Sequence, residues 1–140
     1  MWVLAGVLLV ALFMSGCKSH PTASPQTTST LAPLAEEFVR AVPLWVKKEE
    51  LPQKAVPGAK LFATAGCLNC HRYLSAGSSE LSAPNLTAEG LKGRGIKFQI
   101  AHLKCPSCVV KGSVMPQFLA FGKANLGKVA IFLEASQGVR

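Results

Sequence analysis

The sequence predicts an all-α domain: three to five short helices gathered around one covalent attachment site. Three observations carry that expectation. First, Cys67-Leu68-Asn69-Cys70-His71 sets two thiols three residues apart and a histidine beside the second. C-x-x-C-H is the attachment signature of c-type haem. Thiols one helical turn apart face one side and reach the two vinyl groups of a porphyrin, and the adjoining imidazole is presented to the iron. Second, apolar residues around the motif recur at helical intervals, and nowhere do they alternate as in a half-buried strand. Third, the stretch 57–140 is small for a self-sufficient core. A covalent porphyrin supplies a flat apolar body for short helices to wrap. The competing readings of the motif fit less well. Zinc would want a second ligand pair at finger or ribbon spacing, and a redox dithiol has no use for the histidine.

Composition limits the partners. The formal net charge is +8, with fifteen basic residues against seven acidic ones, all glutamate, and none of them before Lys18. Such a surface suits an acidic protein face or anionic lipid, or it is simply a solvated surface with scattered lysines. Nucleic acid is the weakest candidate, because no binding motif is visible and aromatics do not interleave with the basic residues. Five cysteines in 140 residues fit an exported protein better than a cytosolic one.

The chain begins with an uncharged apolar run, Trp2 to Met14, which suits a signal-peptide core and is short for a membrane span of ~20 residues. Ser15-Gly16-Cys17 then resembles the lipobox of bacterial lipoproteins, with Met14 where that pattern usually has leucine. The resemblance implies a signal peptide over 1–16 and lipidation of Cys17. An uncleaved anchor or an ordinary signal peptide are the alternatives. Each of the first two readings holds the chain at a membrane, on its outer side. Residues 17–33 are dense in Ser, Thr and Pro, so a disordered tether is expected. Residues 34–56 read as a helical extension. Leu34, Phe38 and Val42 form an amphipathic stripe, Pro43 should stop or bend the helix, and Lys47-Lys48-Glu49-Glu50 reads as a solvated charge run. Trp45 is expected in packing rather than at a cofactor edge.

Pro57-Gly58 opens the next helix, where the missing proline N–H would have been unpaired in any case. Gly58 and Phe62 stand one turn apart before the attachment motif, Pro84-Asn85-Leu86 follows it, and Met115-Pro116-Gln117-Phe118 comes later. On these residues, stretch 55–138 resembles the class I monohaem cytochromes c. The resemblance implies the cytochrome c fold around one covalent haem c. Cys67 and Cys70 would carry the thioethers, His71 and Met115 would be the axial ligands, and Pro84, Leu86 and Phe118 would line the haem pocket. It also implies that the Pro84 carbonyl accepts a hydrogen bond from His71 Nδ1, and that Phe132 on a closing helix 125–133 meets Gly58. Pro116 disfavours a helical Met115, as a loop-borne ligand requires. Met115 lies 44 residues after His71, enough chain to reach the other haem face, and no other methionine follows the leader.

His102 is the rival distal ligand. It sits beside the Ile96, Ile100, Leu103 stripe, where a surface or hydrogen-bonded histidine is the commoner outcome. Arg94, Lys97 or Lys104, with Gln99, are candidates for a haem propionate. Cys105-Pro106-Ser107-Cys108 has no following histidine, so a second haem is not expected. A disulfide is preferred there, with free thiols or a redox dithiol as alternatives.

With both axial positions filled, an iron has no vacant site for substrate. The expected function is single-electron transfer between respiratory redox partners with acidic docking patches, in a bacterial cell envelope. A fixed subunit of a quinol-oxidising or terminal oxidase complex is the alternative. A haem enzyme or sensor with an open sixth position is the alternative of another class.

Overall fold

The computed structural model describes residues 31–139. The expected signal segment 1–16, Cys17 and most of the tether lie outside the described residues. What is described is mostly helical. Five α-helices follow in order: α1 (Leu31–Lys48), α2 (Val56–Thr64), α3 (Ile96–Lys104), α4 (Pro106–Val109) and α5 (Gly122–Ala135). Short 3-10 turns join them, among them Cys67–Asn69, Glu80–Ser82 and Glu89–Lys92. One small hairpin, β1 (Arg72–Tyr73) with β2 (Ala76–Gly77), is antiparallel and pairs Tyr73 with Ala76. Two-residue strands are too short to alternate, so no pattern in the sequence announced them.

The crossing of α2 and α5 sets the frame. A Cβ on Gly58 would lie 2.0 Å from the carbonyl oxygen of Lys128 and 2.8 Å from Phe132 Cβ, so only glycine lets the two backbones approach this closely. Around the crossing, Trp45, Phe62, Tyr73 and Phe132 form one buried aromatic cluster, with ring centroids 4.9–6.4 Å apart in mostly tilted or edge-on pairs. Such geometries satisfy the ring quadrupoles while burying large apolar areas. Tyr73 keeps its hydroxyl satisfied inside this cluster, 2.9 Å from Ser136 Oγ, which itself donates to the Phe132 carbonyl.

The N-terminal extension differs from expectation. Helix α1 starts at Leu31, inside the expected tether, and continues through Pro43 to Lys48. Pro43 is exposed, and the backbone bond it cannot donate is offset by the burial of Val42 and Trp45 on the other face. The stripe is shifted too, since Leu34 is exposed and Phe38 only half-buried. The charge run is not wholly solvated either: Glu49 is 7% exposed. It follows Trp45 by one turn, which carries it toward the buried side.

Beyond α5, Gly138 takes a positive φ of 79° and donates to the Thr87 carbonyl at 3.0 Å, while Gly90 donates to the Ser136 carbonyl at 2.8 Å. These bonds fasten the C-terminal segment to the 87–90 turn. That turn in turn leads the chain from the hairpin to α3.

Candidate functional site

Beside the α2–α5 crossing lies a cavity of about 500 Å³, within the ~300–1,000 Å³ range usual for cofactor-sized ligands. The attachment motif forms part of its wall. Helix α2 ends at Thr64, and Gly66, with a φ of 79°, turns the chain into the 3-10 turn Cys67–Asn69. His71 N–H then closes back on the Cys67 carbonyl at 2.9 Å. This short helical loop presents Cys67, Cys70 and His71 together to the cavity. Both thiols are free in the structure; Cys67 is buried and Cys70 half-buried. Burial pushes the Cys67 thiol up to about 12, and the neighbouring Cys70 adds to the shift.

His71 has one nitrogen engaged. Its Nδ1 lies 2.9 Å from the carbonyl oxygen of Pro84. A carbonyl only accepts, so Nδ1 carries the hydrogen and Nε2 keeps the lone pair that a metal ligand needs. The contact follows from the loop's anchoring. Leu86 N–H donates to the Arg72 carbonyl at 2.9 Å, and Leu74 N–H donates to Thr87 Oγ1 at 2.7 Å, so residues 84–87 run alongside β1. The hairpin also depends on Gly77 (φ 80°), where a Cβ would fall 2.3 Å from the His71 carbonyl oxygen.

Another part of the wall comes from the segment after α4. Met115, Pro116 and Phe118 all line the cavity, Met115 half-buried and non-helical. Phe118 N–H donates to the Leu103 carbonyl at 2.9 Å, which pins the segment to α3. Leu86, Phe62, Val129 and Leu133 add apolar surface. The structure thus brings Cys67, Cys70, His71, Pro84, Leu86, Met115 and Phe118 to one cavity. Two thiols, an imidazole with a free lone pair and a thioether in a mainly apolar chamber form a donor set suited to a covalently held porphyrin. Among the described residues no three His, Cys, Asp or Glu side chains come together to hold a bare metal ion.

Helix α3 differs from the stripe read in the sequence. It buries Gln99 and Leu103 and leaves Ile96 exposed. Its cavity-lining residues include Phe98 and His102, stacked at 5.9 Å with an interplanar angle of 6°. His102 is therefore a cavity residue and not a surface one. Its Nδ1 is buried without a hydrogen-bond partner, and burial, with Arg94 nearby, holds its pKa below the usual range.

Of the residues considered for a propionate, Arg94 and Gln99 line the cavity, and Lys97 and Lys104 do not. Gln99 Nε2 is already committed, donating to Glu134 at 2.8 Å and Glu89 at 3.3 Å. Lys92 and Lys111, which sequence reasoning passed over, join Arg94 in the lining. Lys92 is held 2.6 Å from buried Glu89, and their i, i+3 spacing was the available signal for that pair. Trp45 and the Cys105–Cys108 pair lie outside the lining; those two cysteines are disulfide-bonded, with Cα atoms 5.3 Å apart. No family model, curated protein or solved structure matches the chain.

Proposed function

We propose that the chain is a monohaem c-type cytochrome of the class I type, transferring single electrons between respiratory redox partners. In this reading it is held by its N-terminus on the outer side of a bacterial membrane. The observation that carries the proposal is the convergence of Cys67, Cys70, a His71 whose Nδ1 is tied to Pro84, and Met115 on one apolar cavity.

Cys67 and Cys70 would hold the haem through thioethers, and His71 and Met115 would supply the protein ligands to its iron. When bound, the group supplies a one-electron iron couple. The remaining chemistry belongs to the chain. Pro84 fixes the His71 tautomer and orients its ring through the hydrogen bond to Nδ1. The soft thioether of Met115 favours the reduced state and so raises the potential. The apolar walls, Leu86 and Phe118 among them, keep water from the ligands. Lys92 and Arg94 place positive charge where a carboxylate-bearing group would need it. Ligation by both His71 and Met115 would leave the iron no position for a substrate, which favours electron transfer over catalysis.

Absorption spectra of the oxidised and reduced protein, taken before and after denaturation, test the reading. Expected are a haem that stays with the polypeptide on denaturation and an iron–sulfur charge-transfer band that Met115→Ala abolishes. A chain that never retains haem refutes the proposal. Carbon monoxide binding to the native reduced protein would replace it with an open-site enzyme or sensor.

A further inference from the structure

The Cys105–Cys108 disulfide has no part in the function proposed above, yet it stands at the base of one cavity wall. Segment 105–118, made of α4 and the irregular chain after it, has its two ends meeting at the C-terminus of α3. At one end Cys105 N–H donates to the Ala101 carbonyl, and at the other Phe118 N–H donates to the Leu103 carbonyl, each at 2.9 Å. Between these ends the bonds are local: Val110 N–H to the Pro106 carbonyl (2.8 Å), Ser113 N–H to the Val110 carbonyl (3.1 Å), and Met115 N–H to Ser113 Oγ (3.3 Å). Among the described residues no backbone hydrogen bond between loop or turn positions ties 111–117 to any residue outside 105–118. All of Val110 to Pro116 nevertheless lines the cavity. A wall with so few ties opens easily, and the disulfide is the one covalent constraint at its base. Cys108 is exposed and Cys105 half-buried, so the bond is reachable from solvent.

We propose that Cys105–Cys108 is a thiol–disulfide exchange site for an external protein dithiol, and that its reduction loosens the wall carrying Met115. The consequence for an iron ligand rests on the haem reading above. The chemistry balances within the two proteins. A thiolate of the dithiol attacks Sγ of exposed Cys108, the S–S bond breaks, and Cys105 leaves as a thiolate that takes up a proton. The second thiol of the partner loses its proton, attacks the mixed disulfide and releases Cys108, which is protonated in turn. Two electrons pass to Cys105 and Cys108, and the partner's sulfurs end as a disulfide. Reduction removes the covalent clip at the base of 105–118 and leaves its backbone bonds and the packing of Pro106, Met115 and Phe118 to hold it.

The test uses the full chain as purified, incubated with reduced thioredoxin as the probe and then blocked with iodoacetamide. Peptide mapping should find Cys105 and Cys108 alkylated. Trypsin cleavage after Lys111 should accelerate about tenfold, the order that closing so short a ring contributes in the chain-entropy relation. After reoxidation of the iron with ferricyanide, the iron–sulfur band should be weaker than in untreated protein. A Cys105→Ser, Cys108→Ser double variant should be cleaved at the fast rate without any dithiol. Cysteines that stay unalkylated would overturn the exchange site. Alkylation with unchanged cleavage at Lys111 would overturn the link to the wall. Failure of the haem reading would show separately, as the lack of any haem spectrum in either redox state, with the alkylation and cleavage readouts still available.

Discussion

A buried carboxyl group without hydrogen bonds is expensive when ionised, and Glu49 is such a group. Neither of its oxygens has a hydrogen-bond partner. Burial raises its pKa above the ordinary value of 4.5; Tyr73 and the backbone of Gly138 and Gln137, which approach without closing a bond, offset only part of that. The sign of the pH effect follows. A folded-state pKa above the unfolded one means that the folded chain holds this proton more tightly. Its contribution to stability is complete below about pH 4.5 and is lost as pH rises through the folded-state value. Glu49→Gln, which cannot ionise, should therefore melt higher than the parent at neutral pH. The gap should close as both proteins are brought toward pH 4. Thermal melts of the two at several pH values decide it, and a gap that does not change with pH would mean that ionisation of Glu49 is not its source. The two thiols of the C-x-x-C-H motif differ in a related way. With Cys67 pushed up to about 12 and buried, and Cys70 half-buried, iodoacetamide at neutral pH should label Cys70 first in haem-free protein, as read by peptide mapping.

Between elements, Gly58 and Gly127 predict opposite outcomes for the same substitution. At the crossing, an alanine Cβ would meet the Lys128 backbone at 2.0 Å, and a carbonyl cannot rotate away as a side chain can. Gly58→Ala should cost about 2 kcal/mol or more, because α2 and α5 must separate. On α5 itself, Gly127 has open space around its Cβ position, so Gly127→Ala should stabilise by about 0.5–1 kcal/mol through helix propensity. Urea midpoints of the two variants test the pair; equal shifts in one direction would contradict the crossing. The crossing was legible beforehand because a glycine and an aromatic at fixed distances from C-x-x-C-H resemble a known family. The bond between His71 and Pro84 was legible for the same reason. Helix α1 was less so. A proline argues for a break, and only the partners supplied by other segments, Phe62, Tyr73 and Phe132 around Trp45, show why the helix continues past it. Helix α3 was misread in a related way. In the sequence Gln99 reads as a propionate candidate, but Glu89 and Glu134, ten and thirty-five residues away, take up its amide and let it be buried. Long-range polar partners leave no periodic trace in the sequence.

For the whole molecule, net charge sets how the approach of a charged reagent depends on salt. The formal net charge is +8, and two carboxylates on a bound porphyrin would remove only part of it. Around the cavity, Lys92, Arg94 and Lys111 face one lining carboxylate, Glu89, which is buried and already paired with Lys92. An approaching anion therefore meets net positive potential on that side, and an approaching cation meets repulsion. Screening sets the test, because the Debye length shrinks from about 30 Å at 0.01 M salt to about 10 Å at 0.1 M. If the chain carries electrons as proposed, its oxidation by an anionic iron cyanide complex should slow by about tenfold across that range, while oxidation by a cationic cobalt complex should speed up. Stopped-flow traces with the two oxidants measure both slopes. Lys111 lines the cavity and Lys48, at the end of α1, does not. If approach is steered to the cavity side, Lys111→Gln should flatten both salt slopes more than Lys48→Gln does, with the spectrum unchanged in each. Equal flattening by the two variants would show that the anion responds to the total charge and that the cavity side has no special claim on it. A rate indifferent to salt would place electron exit somewhere other than this positively charged mouth.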